Sequence, residues 1–220
     1  MNSFDLLLAL KAQGYLKTKR DALWWPRSKT FWVIIGAILT QQSKWEKVEQ
    51  SMHNLDVAGI NSLETVVECS HERLVELIKP SGFYNTKAKN LKILCSAILE
   101  NFSSFELFCE EVSRDWLLEQ KGIGPESADS ILCYACGKEA MVVDAYTARL
   151  LESFGYQFES YDALQEWMVD GIVANQHRLV DVYGNAMELN EVYARFHGKI
   201  VEFCKENSRG KKVESGSLGL

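Results

Sequence analysis

The feature that most limits the folds open to this chain is the spacing of its apolar residues, which recur at intervals of three and four nearly everywhere. Ala88, Leu91, Leu94, Cys95, Ile98, Leu99 and Phe102 form one such stripe, with a cap expected at Asn85 or Thr86; Leu189, Val192, Phe196, Ile200 and Phe203 form another. That period puts a single face of a helix toward a core. "FWVIIGAIL", Phe31 to Leu39, is apolar nearly all round, as suits a helix inside a bundle. A buried strand would have the same composition, but the polar exit Thr40-Gln41-Gln42-Ser43 and the helical stretch beyond it favour helix. No alternating run flanks an Asn-Gly or Asp-Gly turn, so β-hairpins are not expected. The pattern predicts an all-α protein of about ten helices joined by short turns. Its 220 residues suit one large domain or two small ones sharing a cleft.

The chain carries a net charge of −6, which on its own argues against a polyanionic partner. Local groups run the other way: Lys87, Lys89 and Lys92 lie together, as do Lys205, Arg209, Lys211 and Lys212. Either group could be a solvated face. The N-terminal apolar run, Leu6 to Leu10, is too short for a signal peptide or membrane span, so a cytoplasmic protein is expected. The six cysteines mostly sit within apolar helical patterns, as buried thiols do in a reducing compartment. The tail "SGSLGL" is aperiodic, and residues 213–220 are expected to be disordered.

One stretch breaks the helical pattern and at once resumes it: "LLEQKGIGPESADS", Leu117 to Ser130. Ser113 can cap a helix through Leu118, glycines can supply the positive φ of a tight turn, and Pro125 suits the first turn of the next helix. That second helix would direct first-turn N–H groups, those of Glu126 and Ser127 among them, at the turn's tip. Such N–H groups and a helix dipole can bind a phosphate without reading a base. Taken alone, the stretch is equally a plain turn. A second signal follows at "VVDAYTARLL", Val142 to Leu151, where Asp144 stands after two β-branched residues and before a new helix. An aspartate there can be a simple N-cap. It is also an anchored carboxylate, which hydrolysis of a glycosidic bond requires to stabilise positive charge on the sugar and to direct water.

The pairing of these two stretches resembles the helix-hairpin-helix DNA glycosylases of the endonuclease III superfamily. "GAILTQQSKW" (Gly36 to Trp45) and "SGFYNTKAKNLKIL" (Ser81 to Leu94) resemble two further family segments, in the family's order. The resemblance implies two helical subdomains: a six-helix barrel-like one over residues 28–134, and one from residues 1–27 and 135–212 that carries Asp144, with the active site in the cleft between. It implies Asp144 as the catalytic aspartate and Gly122, Gly124, Glu126 and Ser127 as the DNA-backbone grip. Gln42 would be the residue entering the duplex where a nucleotide leaves it, although a polar helix end in water would look the same.

Two departures from the family pattern carry information. Relatives that also cut the backbone have a lysine two residues past the second hairpin glycine; here that residue is Glu126, which implies a monofunctional enzyme using water. Many relatives end in four cysteines holding an iron–sulfur cluster, whereas Cys204 is followed by no cysteine at all. Four thiolate ligands are therefore not available, and no cofactor or metal is expected. Cys133-x-x-Cys136 has no partnering pair.

Trp24, Trp25 and Trp45 are candidates for a base pocket, or plugs of a domain interface. Indole faces suit a cationic base such as 3-methyladenine. With "WWP", no lyase lysine and no cluster, the chain resembles the small 3-methyladenine DNA glycosylases. It is expected to act as a monomer on double-stranded DNA containing damaged bases, away from membranes. The alternatives are a glycosylase for a mismatched or oxidised base, a lyase using an unexpected lysine, and a non-catalytic DNA-binding module.

Overall fold

The computed structural model describes residues 1–17 and 21–220 and is all-α apart from one two-residue strand pair. In chain order the helices are α1 (Ser3–Ala12), α2 (Trp32–Leu39), α3 (Trp45–Val57), α4 (Leu63–Glu68), α5 (His71–Ile78), α6 (Tyr84–Phe102), α7 (Phe105–Glu111), α8 (Arg114–Leu118) and α9 (Pro125–Ser130). Then come α10 (Ala145–Glu152), α11 (Tyr161–Val173), α12 (Leu179–Tyr183) and α13 (Leu189–Glu206). A π-helical turn, Ile131–Ala135, prolongs α9. No described helix is long and apolar enough to cross a membrane.

The chain divides into two compact units. The second, Arg27–Gly137, is contiguous and holds α2 to α9. Its centre is α2, every residue of which is buried, as an all-round apolar helix must be. Around it pack α3, α6, α9 and the π-turn. Side chains cap several helices: Ser62 begins α4, Ser70 α5, Ser104 α7 and Ser113 α8. The stripe on α6 is buried from Ala88 to Ile98 and half-buried at Leu99 and Phe102, but neither Asn85 nor Thr86 caps it. The helix starts earlier, at Tyr84, and its cap position is Phe83 in left-handed conformation.

The first unit joins Met1–Pro26 to Lys138–Leu220. Phe4, Leu7 and Leu10 of α1 share a core with Leu150 and Leu151 of α10, Met168 and Ile172 of α11, and Phe196, Ile200 and Phe203 of α13. Two expectations fail here. A short antiparallel pair exists after all, Ser208–Arg209 with Lys212–Val213, turning through Gly210. The tail beyond it is not disordered: Val213 and Leu218 bury into the core, Gln13 Nε2 donates to Ser217 O, and Glu214 N donates to Asn207 O at 2.8 Å. Two buried apolar side chains five residues apart are enough to hold so short a segment, yet too few to make a period.

Candidate active site

The break at 122–125 is a hairpin between α8 and α9 in the second unit. Its two glycines serve different ends. Gly122 has φ +82°, and a Cβ there would fall 2.0 Å from Asn90 Nδ2, so both backbone and neighbour demand glycine. Gly124 is extended (φ −100°, ψ 177°), with nothing within 4 Å of where a Cβ would lie. Of the two, only Gly122 uses the positive φ expected of the hairpin glycines. Ile123 between them is buried as a plug, while Gly122, Gly124 and Glu126 are exposed. α9 opens with Pro125 and without a side-chain cap. Arg114 of α8 clamps Asp129 of α9 through Nε–Oδ1 at 2.9 Å and Nη2–Oδ2 at 3.2 Å, which fixes the hairpin's two arms.

The turn after α2 divides its two glutamines. Gln42, the residue singled out for insertion, is exposed and left-handed (φ +52°). Gln41 turns inward: its Nε2 donates to Gly122 O at 2.9 Å and to Ser127 Oγ at 3.0 Å. The Ser127 hydroxyl is thus occupied by the protein itself. Phe83 is 66% exposed at φ +45°, an unusual state for a bulky residue. Its aromatic character was visible in sequence; its exposure was not.

In the first unit, Asp144 caps α10. Oδ1 accepts from Tyr146 N at 2.9 Å, Thr147 N at 2.8 Å and Thr147 Oγ1 at 3.1 Å. Oδ2 lies 3.5 Å from Nε2 of buried His197 on α13. One oxygen is thereby saturated and the other is turned to His197. Burial opposes ionisation of the carboxyl, but the contact and charge of His197 and the Thr147 donors outweigh it, so its pKa lies below the usual value. A carboxylate held this way is charged at neutral pH and oriented.

Trp24 also belongs to this unit, at φ +74°. Its indole meets His197 edge-on, centroids 5.4 Å apart, and lies so close over α13 that a Cβ at Gly198 would be 2.4 Å from the ring. Trp25 is buried, perpendicular to Trp24. The row Trp24–His197–Asp144 is therefore a contact chain. His197 was missed in sequence because nothing local marks a histidine in the middle of a helix. Trp45 lies in the second unit, half-buried, as the first residue of α3.

The residues present do not suit an iron–sulfur cluster. Cys204 is buried in the core with its Sγ 3.6 Å from Tyr146 O, and burial pushes its thiol up to about 12. Among the described residues no three His, Cys, Asp or Glu side chains converge to bind a metal.

An all-α chain with an uncapped glycine hairpin and a half-buried, oriented aspartate has the parts of a base-excision DNA glycosylase. The chain belongs to the HhH-GPD superfamily of base excision DNA repair proteins, whose family profile matches residues 35–165. A Methanocaldococcus jannaschii protein named as a DNA repair glycosylase is 36% identical over 197 residues, 86% of this chain and 83% of its own. The crystal structure of the H. pylori 3-methyladenine DNA glycosylase MagIII, bound to 1,N6-ethenoadenine, superposes with a TM-score of 0.91. It is 46% identical and covers 95% of this chain and 100% of its own. A trapped endonuclease III–DNA covalent intermediate shares the fold, with a TM-score of 0.73 at 17% identity, covering 99% and 92%.

Proposed function

We propose that this glycosylase hydrolyses the N-glycosidic bond of alkylated purines in double-stranded DNA, chiefly 3-methyladenine, and leaves an abasic site. The observation that carries the reading is Asp144, with Oδ1 fixed by three donors and Oδ2 turned to His197 below Trp24. The similarity to MagIII supports the lesion.

In the proposed reaction the damaged base is extruded from the stack and rests against Trp24, the half-exposed member of the Trp24–Trp25 pair, with Trp25 and Trp45 further candidates. A purine methylated at N3 is cationic, so its attraction to an indole face is lost as it departs neutral. The bond between C1′ and the base nitrogen breaks, its electron pair leaves with the base, and positive charge spreads over C1′ and the ring oxygen. The Asp144 carboxylate stabilises that charge, orients water toward C1′ and receives its proton. No acid is needed for a leaving group that departs neutral. The hairpin of Gly122 and Gly124, with the N–H groups of Glu126 and Ser127, serves the phosphates, and Gln42 enters the stack.

The test is release of free bases from methylated DNA, identified chromatographically, with wild type beside Asp144→Asn. Release of 3-methyladenine by wild type alone is the expected result; equal release by both proteins sinks the role of Asp144. A duplex containing 1,N6-ethenoadenine belongs in the same assay, because MagIII was solved with that base. Borohydride trapping should yield no covalent enzyme–DNA product, since Glu126 stands where lyases carry lysine.

A further inference from the structure

Lys87 on α6 is buried, only 3% exposed, and among the described residues no carboxylate pairs with it. Its Nζ donates to Leu39 O and to Ser81 O, each at 2.8 Å. Leu39 is the last residue of α2, three before Gln42, and Ser81 stands two before Phe83. One ammonium therefore joins the backbones that lead into two left-handed, exposed turns. Asn90, three residues further and on the same face of α6, is also buried and fills the space beside Gly122 in the hairpin. Gln41 closes the circuit from the α2 turn to the hairpin. A buried ammonium with no counter-ion is a poor choice for stability alone, since an apolar side chain of similar volume commonly does as well. What it provides is a fixed distance between two carbonyls on separate turns.

We propose that Lys87 is a positioning residue that, with Asn90 and Gln41, holds the Gln42 turn, the Phe83 turn and the hairpin in one register, so that all three engage a distorted duplex together. The inference rests on the DNA-repair function above. It differs from simple scaffolding in a measurable way, because Lys92 on the same helix makes a similar pair of bonds, to Val67 O and Cys69 O at the end of α4, and serves none of these turns.

The experiment compares binding to an intact duplex and to one carrying a tetrahydrofuran abasic analogue, by fluorescence anisotropy, for wild type, Lys87→Met, Lys87→Arg and Lys92→Met. Urea unfolding of each protein runs alongside. The preference for the abasic duplex should fall about tenfold in Lys87→Met, as expected when a contact is displaced by an ångström or so. Intact-duplex affinity should stay as in wild type, and Lys87→Arg should recover part of the preference. Lys92→Met should lose stability to a similar degree and keep the preference. If Lys87→Met keeps it too, or both variants lose it alike, Lys87 is structural only and the proposal falls. Should Lys87→Met fail to fold, Gln41→Leu breaks another link of the circuit and must show the same loss; an unchanged preference there overturns the proposal. A wild type with no preference at all would instead overturn the duplex-insertion reading beneath it.

Discussion

Two helix N-termini dominate this molecule, and they are finished in opposite ways. α10 is closed by the carboxylate of Asp144, whose Oδ1 takes three donors from the first turn. α9 is left without a side-chain cap, behind a glycine that is extended and surrounded by open space. The same electrostatic resource, a helix's positive dipole end, is taken up by a carboxylate in one case and left without a side-chain cap in the other. Closing the end fixes a charged group in one orientation, because three donors converge on a single oxygen. Leaving it without a side-chain cap is what the proposed phosphate contact requires. The reaction proposed above calls for one of each, a held carboxylate and a grip on phosphates.

The most severe way to break the contrast is at Asp144. Asp144→Asn should lower base release by roughly 10²–10⁴-fold with folding little changed, because asparagine caps a helix about as well as aspartate. Asp144→Ala should lose the same activity and about 1 kcal/mol of stability besides, read from urea unfolding. Full activity in the asparagine variant would reduce Asp144 to a cap.

Next in size is Gly122→Ala. A methyl group at φ +82° and on top of Asn90 should cost about 1–3 kcal/mol in the unfolding midpoint. Gly124→Val sharpens the point, since its backbone is ordinary and its surroundings empty. Stability should change by about 0.5 kcal/mol or less, while duplex affinity falls a few-fold as the side chain obstructs the approach of a phosphate. If Gly124→Val binds as wild type does, the open end of α9 is not the phosphate site.

The smallest effect is in the acid range. Asp144 is held below the ordinary carboxylate pKa in the folded state, so its contribution to stability is complete above the unfolded value and disappears as pH falls through the folded one. Asp144→Asn lacks that contribution. Its stability relative to wild type should therefore rise as pH is lowered below about 4, measured by denaturant unfolding across the acid range.

Much of this was legible in the sequence, where local chemistry decides. The glycine break, the Ser113 cap, the Asp144 cap and the unbroken apolar run of α2 are each written within a few adjacent residues, and the apolar period of α6 is written over about four turns. What was not legible depends on partners far along the chain. Trp24 and His197 are 173 positions apart, and only the fold puts one ring against the other. Adjacent Gln41 and Gln42 look alike on paper; the left-handed backbone at Gln42 sends one outward and leaves the other bonded to the hairpin. The tail misled because order there comes from two side chains, Val213 and Leu218, meeting a core built elsewhere.

That tail, with α1, carries a consequence for how the protein is made. α1 packs against α11 and α13 and against the turn at Gly216–Leu218, all encoded after the entire contiguous unit 27–137. As the chain emerges from a ribosome, the hairpin-bearing unit can finish its core first. The apolar stripe of α1 precedes that unit in the chain and its partners follow it, so its side chains stay uncovered until the whole of residues 27–137 has been made. Order along the chain and order of docking thus differ for this helix: α1 precedes the contiguous unit, yet the elements that cover it lie beyond that unit.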